Sequence, residues 1–223
     1  MEARKSVTAE VPAEQRPWKE ALLWLLLLAP GFLLAYTAIN RYTAGLPAAQ
    51  VGEVGMDWER AIPFWPWTIL PYLSINLLYA GSPFVCETRR ELRTHVLRFV
   101  LMTAISAICF LLWPLRFSAT RPEVDDLPGL LFALLGLVDN VHNQAPSLHI
   151  SLLVVLWDCY RRHCPSRWQW LLHLGFVAIA ASVLTTWQHH AFDLVSGLAL
   201  GAAVCRAIPL PPPRARRAAG PEQ

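Results

Sequence analysis

Uncharged apolar stretches approaching the length needed to cross a bilayer constrain this chain more than any other feature. A hydrocarbon core of about 30 Å needs roughly 20 apolar residues of helix. Six stretches approach that length: Ala21 to Ile39, Ala61 to Cys86, the segment between Arg98 and Arg116, Ser147 to Tyr160, Trp168 to Gln188, and a sixth that ends before Arg206. Prolines at 63, 66, 71 and 83 shorten the helix expected in the second. The fourth and sixth are marginal in length and begin with polar residues, and polar groups in a membrane segment point to function. A seventh stretch, Leu127 to Val138, has only 12 residues between flanking aspartates and is expected to be re-entrant or interfacial. With 55% hydrophobic residues and ten Trp, the composition lies outside the range of an ordinary soluble domain. The expected fold class is all-α, a polytopic membrane helix bundle of about six transmembrane helices.

Orientation follows from the 19 Lys and Arg, because basic residues near helix ends are retained on the cytoplasmic side. Fifteen of them fall in the N-terminal arm, the second and fourth connections and the tail, whereas only Arg41, Arg60, Arg116 and Arg121 fall in the first and third connections. Both termini are therefore expected in the cytoplasm. The net charge of +3 is a topology signal; no basic face interleaved with exposed aromatics points to nucleic acid. The expected organisation is a polar cytoplasmic arm (1–19), one membrane domain (20–208), and a disordered Pro/Arg-rich cytoplasmic tail (209–223). The first stretch reads as a retained helix without a cleavage site after it. Cys86, Cys159, Cys164 and Cys205 fall at cytoplasmic ends and Cys109 inside the third helix, so disulfides are not expected.

Polar and ionisable groups on the other side gather in three places: Arg116 to Pro122, Asp139 to His149, and Trp187 to Asp193. These sequence-distant segments hold four of the seven histidines and can converge at one interface. His189 and Asp193 are spaced i, i+4, on one face of a helix if that helix begins near Gln188. A carboxylate on one imidazole nitrogen leaves the other free to attack phosphorus. His149 is the candidate proton donor to a leaving alkoxide. Ser147, after Pro146 and before an apolar run, suits a helix N-terminus able to seat a phosphate, and serves equally as a simple cap. Arg121, with Arg116, is the candidate cation for phosphate oxygens. A zinc site from His149, His189, His190 and Asp193 is chemically allowable.

The sequence A-P-S-L-H at 145–149 and Q-H-H-A-F-D at 188–193 resemble the second and third motifs of the type 2 phosphatidic acid phosphatase superfamily. That family carries K-x6-R-P, P-S-G-H and S-R-x5-H-x3-D on a six-helix membrane core. Ser182, His189 and Asp193 reproduce the spacing of the third motif, and Arg121-Pro122 ends the first; the resemblance runs from the third helix to the sixth. Pro114, Leu148 and Val183 stand where the family has Lys, Gly and Arg. Two phosphate-clamping cations are thus missing, which is more similar to the branch of inositol phosphorylceramide and sphingomyelin synthases; there, His190 takes the place of a usual Tyr. The resemblance implies metal-independent phosphohistidine chemistry with no cofactor, with His189, Asp193 and His149 catalytic and Ser147, Arg121, Arg116, Leu148 and His190 binding substrate. It implies a lipid phosphate as substrate; the distribution of basic residues puts the site on the outer face, and the expected location is a bacterial inner membrane with the site facing the periplasm. Hydrolysis, transfer of a phospho-head group between lipids, and a membrane protein that keeps only the fold are the three readings the residues leave open.

Overall fold

The computed structural model describes residues 15–213. Most of the expected arm and tail, residues 1–14 and 214–223, lies outside the described residues. Seven α-helices account for the fold: α1 (Trp18–Ala44), α2 (Ile69–Val85), α3 (Arg89–Leu112), α4 (Asp126–Gly136), α5 (Leu148–His163), α6 (Gln169–Thr185) and α7 (Ala191–Ala207). No β-strand occurs among the described residues, only two isolated bridges between loops. Three segments are long and apolar enough to cross a membrane: Trp18–Ala44, Arg89–Leu112 and Ser166–Thr185.

Six helices correspond to the six apolar stretches, and α4 is the short seventh. Two of the four prolines shorten the second stretch as expected: residues 61–68 form turns around Pro63 and Pro66, and α2 starts only at Ile69; Pro71, in the first turn, and Pro83 lie within the helix, which runs on to Val85. Apart from α4, the helices alternate in direction. The ion pairs Arg16–Glu87 and Arg93–Glu20, with the His163–Glu91 hydrogen bond, gather the starts of α1 and α3 and the end of α5 at one end, the basic end. The hydrogen bonds Thr43–Asn143, Ser147–Asp193 and Trp65–Thr185 gather the opposite termini at the motif end.

Helix α5 is the centre of the bundle, touching α2, α3, α6 and α7 and contributing Ile150, Leu153, Val155 and Leu156 to the core. Its tightest neighbour is α7, and two small residues one turn apart make that possible. A Cβ on Gly197 would stand 2.7 Å from the Ser147 carbonyl oxygen, and one on Gly201 would stand 2.7 Å from the Val154 Cβ and 2.8 Å from the Ser151 carbonyl oxygen. Glycines four apart thus bring the two backbones together, as small-xxx-small pairs do between membrane helices. In the gap so closed, the Ser151 hydroxyl lies 2.9 Å from the Ser147 carbonyl and 3.1 Å from that of Gly197.

Arg98, expected at a cytoplasmic connection, instead lies well inside α3 with a side chain 1% exposed. Its acceptors explain this placement. The guanidinium pairs with Asp158 of α5 at 2.8 Å and donates to the carbonyls of Ile208 (2.7 Å) and Cys205 (3.2 Å), which the end of α7 leaves without helical partners. Arg98→Met is expected to lower unfolding stability in detergent by about 3 kcal/mol, because two helix-end carbonyls lose their donor and the Asp158 carboxylate loses the deeper of its cations, keeping only Arg161 and Arg162. Arg98→Lys should recover little of this, since one ammonium cannot match a planar fork of donors. Thermal denaturation of the three proteins side by side measures the effect.

Candidate active site

The three polar segments converge at the motif end through backbone hydrogen bonds. Phe117 N–H donates to the Val141 carbonyl at 2.7 Å, joining the first segment to the second, and Ser147 N–H donates to the Asp193 carbonyl at 3.1 Å, joining the second to the third. Two of the turns that carry them pass through the left-handed region at residues other than glycine, Asn143 (φ 62°) and Trp187 (φ 52°). Each sits just ahead of a motif. Backbone conformations of that kind cost about 1–3 kcal/mol and persist where surrounding contacts over-determine them. Here Asn143 receives the Thr43 hydroxyl (3.1 Å), and the Trp187 indole donates to the Ile62 carbonyl (3.2 Å).

His189 is not on a helix face. Helix α7 begins at Ala191 with His190 as its N-cap, so His189 precedes the helix and Asp193 lies in its first turn. The helix starts late because the Asp193 carboxylate accepts the His190 backbone N–H at 2.8 Å, the usual arrangement for an acid at the third position of a helix. The expected proximity holds nevertheless, with His189 Nδ1 3.5 Å from Asp193 Oδ2. Asp193 is fully buried and His189 is 8% exposed. His189 Nδ1 and Asp193 Oδ1 both lack a hydrogen-bond partner, as do His149 Nε2 and Arg121 Nε.

His149, in the first turn of α5, stacks on Tyr72 with ring centroids 4.1 Å apart and lies within electrostatic reach of His189. Arg121 is half-buried with its guanidinium 4.8 Å above the Phe132 ring. Burial lowers its pKa from the ordinary value, opposed by Tyr72 and Asp139. It remains a cation. Ser147 is fully buried and acts as the N-cap of α5, its hydroxyl accepting from Ile150 N–H at 3.3 Å. Leu148 is 6% exposed and lines the cavity described below. Arg116 stands apart on the exposed rim, paired with Glu53 at 2.7 Å.

His190 turns away from His189. Its Nδ1 is 2.6 Å from Glu59 Oε2, its Nε2 is 3.3 Å from both the N–H and the hydroxyl of Ser118, and its ring stacks on Phe117. Glu59 also accepts from Ala191 N–H at 2.6 Å and from Met56 N–H at 3.1 Å. The carboxylate thus fastens the loop between α1 and α2 onto the start of α7. A Cβ on Gly55 would stand 2.6 Å from the His190 ring, so only glycine lets the loop lie this close.

Asp139 is a second residue that sequence reasoning passed over except as a boundary. Its Oδ1 accepts from Tyr36 (2.8 Å) and Asn40 (3.0 Å), both of α1, and it lies within electrostatic reach of His189. Burial raises its pKa above the usual carboxylate range, against the lowering effect of Tyr36, His189 and Asn40. With Tyr36, Tyr72 and His149, Asp139 lines one part of a cavity of about 500 Å³ whose remaining walls, from α1 to α5, are mostly apolar, with Asn76 and Thr103 among them. Among the described residues, no three His, Cys, Asp or Glu side chains are grouped as a metal site. No protein-family model matches this chain, and no curated protein matches it in sequence.

Proposed function

We propose that this protein is an integral membrane enzyme similar to the type 2 phosphatidic acid phosphatases, which removes the phosphate of a lipid phosphate or diphosphate through a phosphohistidine at His189. The observation that carries the reading is the convergence of the three polar segments, which sets His189 Nδ1 3.5 Å from the buried Asp193 carboxylate with His149 within electrostatic reach. A carboxylate on one imidazole nitrogen leaves the other for attack on phosphorus, and Arg121 Nε, buried without a partner, supports an anionic ligand at this end of the bundle.

In the proposed reaction the lone pair of His189 Nε2 attacks phosphorus while Nδ1–H turns to Asp193, whose charge stabilises the imidazolium that forms. The ester P–O bond breaks, and the leaving oxygen takes a proton from His149. The phosphate dianion between the rings supplies the counter-charge that lets a buried His149 hold that proton. Arg121 bears on the equatorial oxygens, where preorganised charge in a dry site is most effective. Water, deprotonated by His149, then attacks phosphorus, the P–N bond breaks, and inorganic phosphate leaves.

Transfer to an alcohol in place of water is the second reading, favoured by the apolar cavity that shares His149 as a wall. Both readings pass through the same covalent intermediate. Protein quenched within the first turnover of a radiolabelled lipid phosphate is expected to carry base-stable, acid-labile label on the peptide containing 187–193. Turnover without label on that peptide would remove the phosphohistidine.

The proposed topology has six spans, cytoplasmic termini and the site on the opposite face, and rests on the basic residues gathered at one end of the bundle. Thr120→Cys, exposed in the third connection, is expected to react with an impermeant thiol reagent in intact cells. Reaction only after lysis would invert the orientation.

A further inference from the structure

A second chain of polar side chains lies beside the pair His189–Asp193 and takes no part in the proposed reaction. Glu59 of the loop between α1 and α2, His190 at the start of α7 and Ser118 of the third connection come together from distant parts of the sequence. Glu59 Oε2 stands 2.6 Å from His190 Nδ1, and Ser118 Oγ stands 3.3 Å from His190 Nε2. The backbone N–H of Ser118 also donates to Nε2 at 3.3 Å. Nε2 therefore carries a lone pair, and the ring proton sits on Nδ1, toward the carboxylate. That is the tautomer in which a histidine can take a proton from a serine hydroxyl.

Acid and base are both held in place. Glu59 also accepts from the N–H groups of Ala191 and Met56, and the His190 ring stacks on Phe117 with centroids 4.3 Å apart. His190 is buried, whereas Ser118 is exposed, with the bare backbone of Gly55 beside its hydroxyl. Fastening the loop requires Glu59 and its N–H donors; it does not require an accessible hydroxyl at the far nitrogen of the ring. A carboxylate, an imidazole and a hydroxyl in hydrogen-bonded series are what activates a serine. A separation of 3.3 Å belongs to the looser geometry of such a series before substrate binds. The N–H groups of Ala119 and Thr120, next along the loop, donate to no protein acceptor among the described residues and are free to meet an oxyanion.

We infer that Ser118, His190 and Glu59 form a second catalytic centre, in which Ser118 is the nucleophile toward the carboxylic ester of a glycerolipid. The surroundings point to this substrate class. Trp58, Trp65, Trp67 and Trp113, all at this end of the bundle, are more than half exposed. Exposed tryptophans gather at the membrane interface, the level at which the ester groups of lipids lie. In the reaction, Ser118 Oγ bonds to the carbonyl carbon as its proton passes to His190 Nε2, and Glu59 stabilises the imidazolium. The ester C–O bond breaks as Nε2 gives that proton to the leaving alcohol. Water then gives a proton to Nε2 and attacks the acyl-serine, the fatty acid departs, and Ser118 recovers its proton. This chemistry uses neither His189 nor Asp193 and does not rest on the phosphohistidine reading.

The test treats the full chain in detergent with an alkyl fluorophosphonate, from which an activated serine displaces fluoride, and maps the modified peptides by mass spectrometry. Label is expected on the peptide containing Ser118 in the folded protein, not after unfolding in dodecyl sulfate, and not in Ser118→Ala. Glu59→Gln keeps an acceptor for the Ala191 N–H but no longer holds the proton on Nδ1 as a carboxylate does, so labelling should slow by about 10²-fold or more. That loss should fall on the inactivation rate constant and leave reagent affinity and melting temperature unchanged; a carboxylate that only anchors the loop would show the reverse. Fatty-acid release from dioleoylphosphatidylcholine in mixed micelles should be lost in Ser118→Ala. A folded wild type without label at Ser118, or equal labelling after unfolding, would overturn the nucleophile. Label without fatty-acid release would overturn the ester as its substrate.

Discussion

His189→Ala is expected to reduce phosphate release or transfer from a lipid phosphate by about 10⁴-fold or more, while the protein purifies and melts like wild type. The rate loss is that of an enzyme deprived of its nucleophile. Stability should hold because the ring has no hydrogen-bond partner on Nδ1 to lose, and the bond that shapes the turn, His189 N–H to the Val183 carbonyl at 3.2 Å, belongs to the backbone. Asp193→Asn should fall between the two, by about 10²–10⁴-fold, since an amide no longer fixes the imidazole tautomer. Phosphate assays on lipid mono- and diphosphates with chelator present measure both. Activity of His189→Ala within tenfold of wild type would place the nucleophile elsewhere.

Gly201→Leu is expected to break the close packing of α7 on α5, as a replacement at Gly197 would. The new Cβ would meet a backbone carbonyl and the Cβ of Val154, neither of which can rotate away. Overpacking of this kind costs about 1–3 kcal/mol. It also moves α7 off α5, and with it the Ser147–Asp193 link between the second and third motifs. A shift of about 1 Å there is enough to lower turnover roughly 10²-fold. Gly31→Leu and Gly175→Leu, where a Cβ meets nothing within 4 Å, should leave both quantities unchanged. Thermal inactivation and turnover measured on all three separate tight packing from general intolerance of large residues.

The helices were legible because their signal is local. An uncharged stretch of the required length is a helix in any context that removes water, and Pro63 and Pro66 mark the delayed start of α2 by covalent geometry alone. The convergence of the three polar segments was legible too, since they fall at the same ends of alternating helices. Arg98 was not, because its burial depends on carbonyls more than a hundred residues away. Nor was Glu59, whose role exists only once the loop after α1 reaches His190. The start of α7 shows the same limit within a single turn: the i, i+4 spacing of His189 and Asp193 predicts a shared helix face, whereas capping by the same aspartate places His189 outside the helix. Asp139 and its donors on α1 escaped because Tyr36 and Asn40 sit at the end of an apolar stretch that reads as membrane filler.

Helices α5 and α7 are fastened at both extremities, by Ser147–Asp193 at one and by Arg98 bridging Asp158 to Cys205 and Ile208 at the other. A pair tied in this way can neither slide nor change its length. Helix α7 spans about 25 Å at 1.5 Å per residue, less than an average hydrocarbon core of about 30 Å. With the six-span topology proposed above, hydrophobic mismatch therefore cannot be absorbed by shear within this pair and falls on the tilt of α1 and α6 or on local thinning of the lipid. In that topology the separation of His149 from His189 becomes independent of membrane thickness, so changes in lipid composition are expected to alter access to the proposed site without altering its geometry.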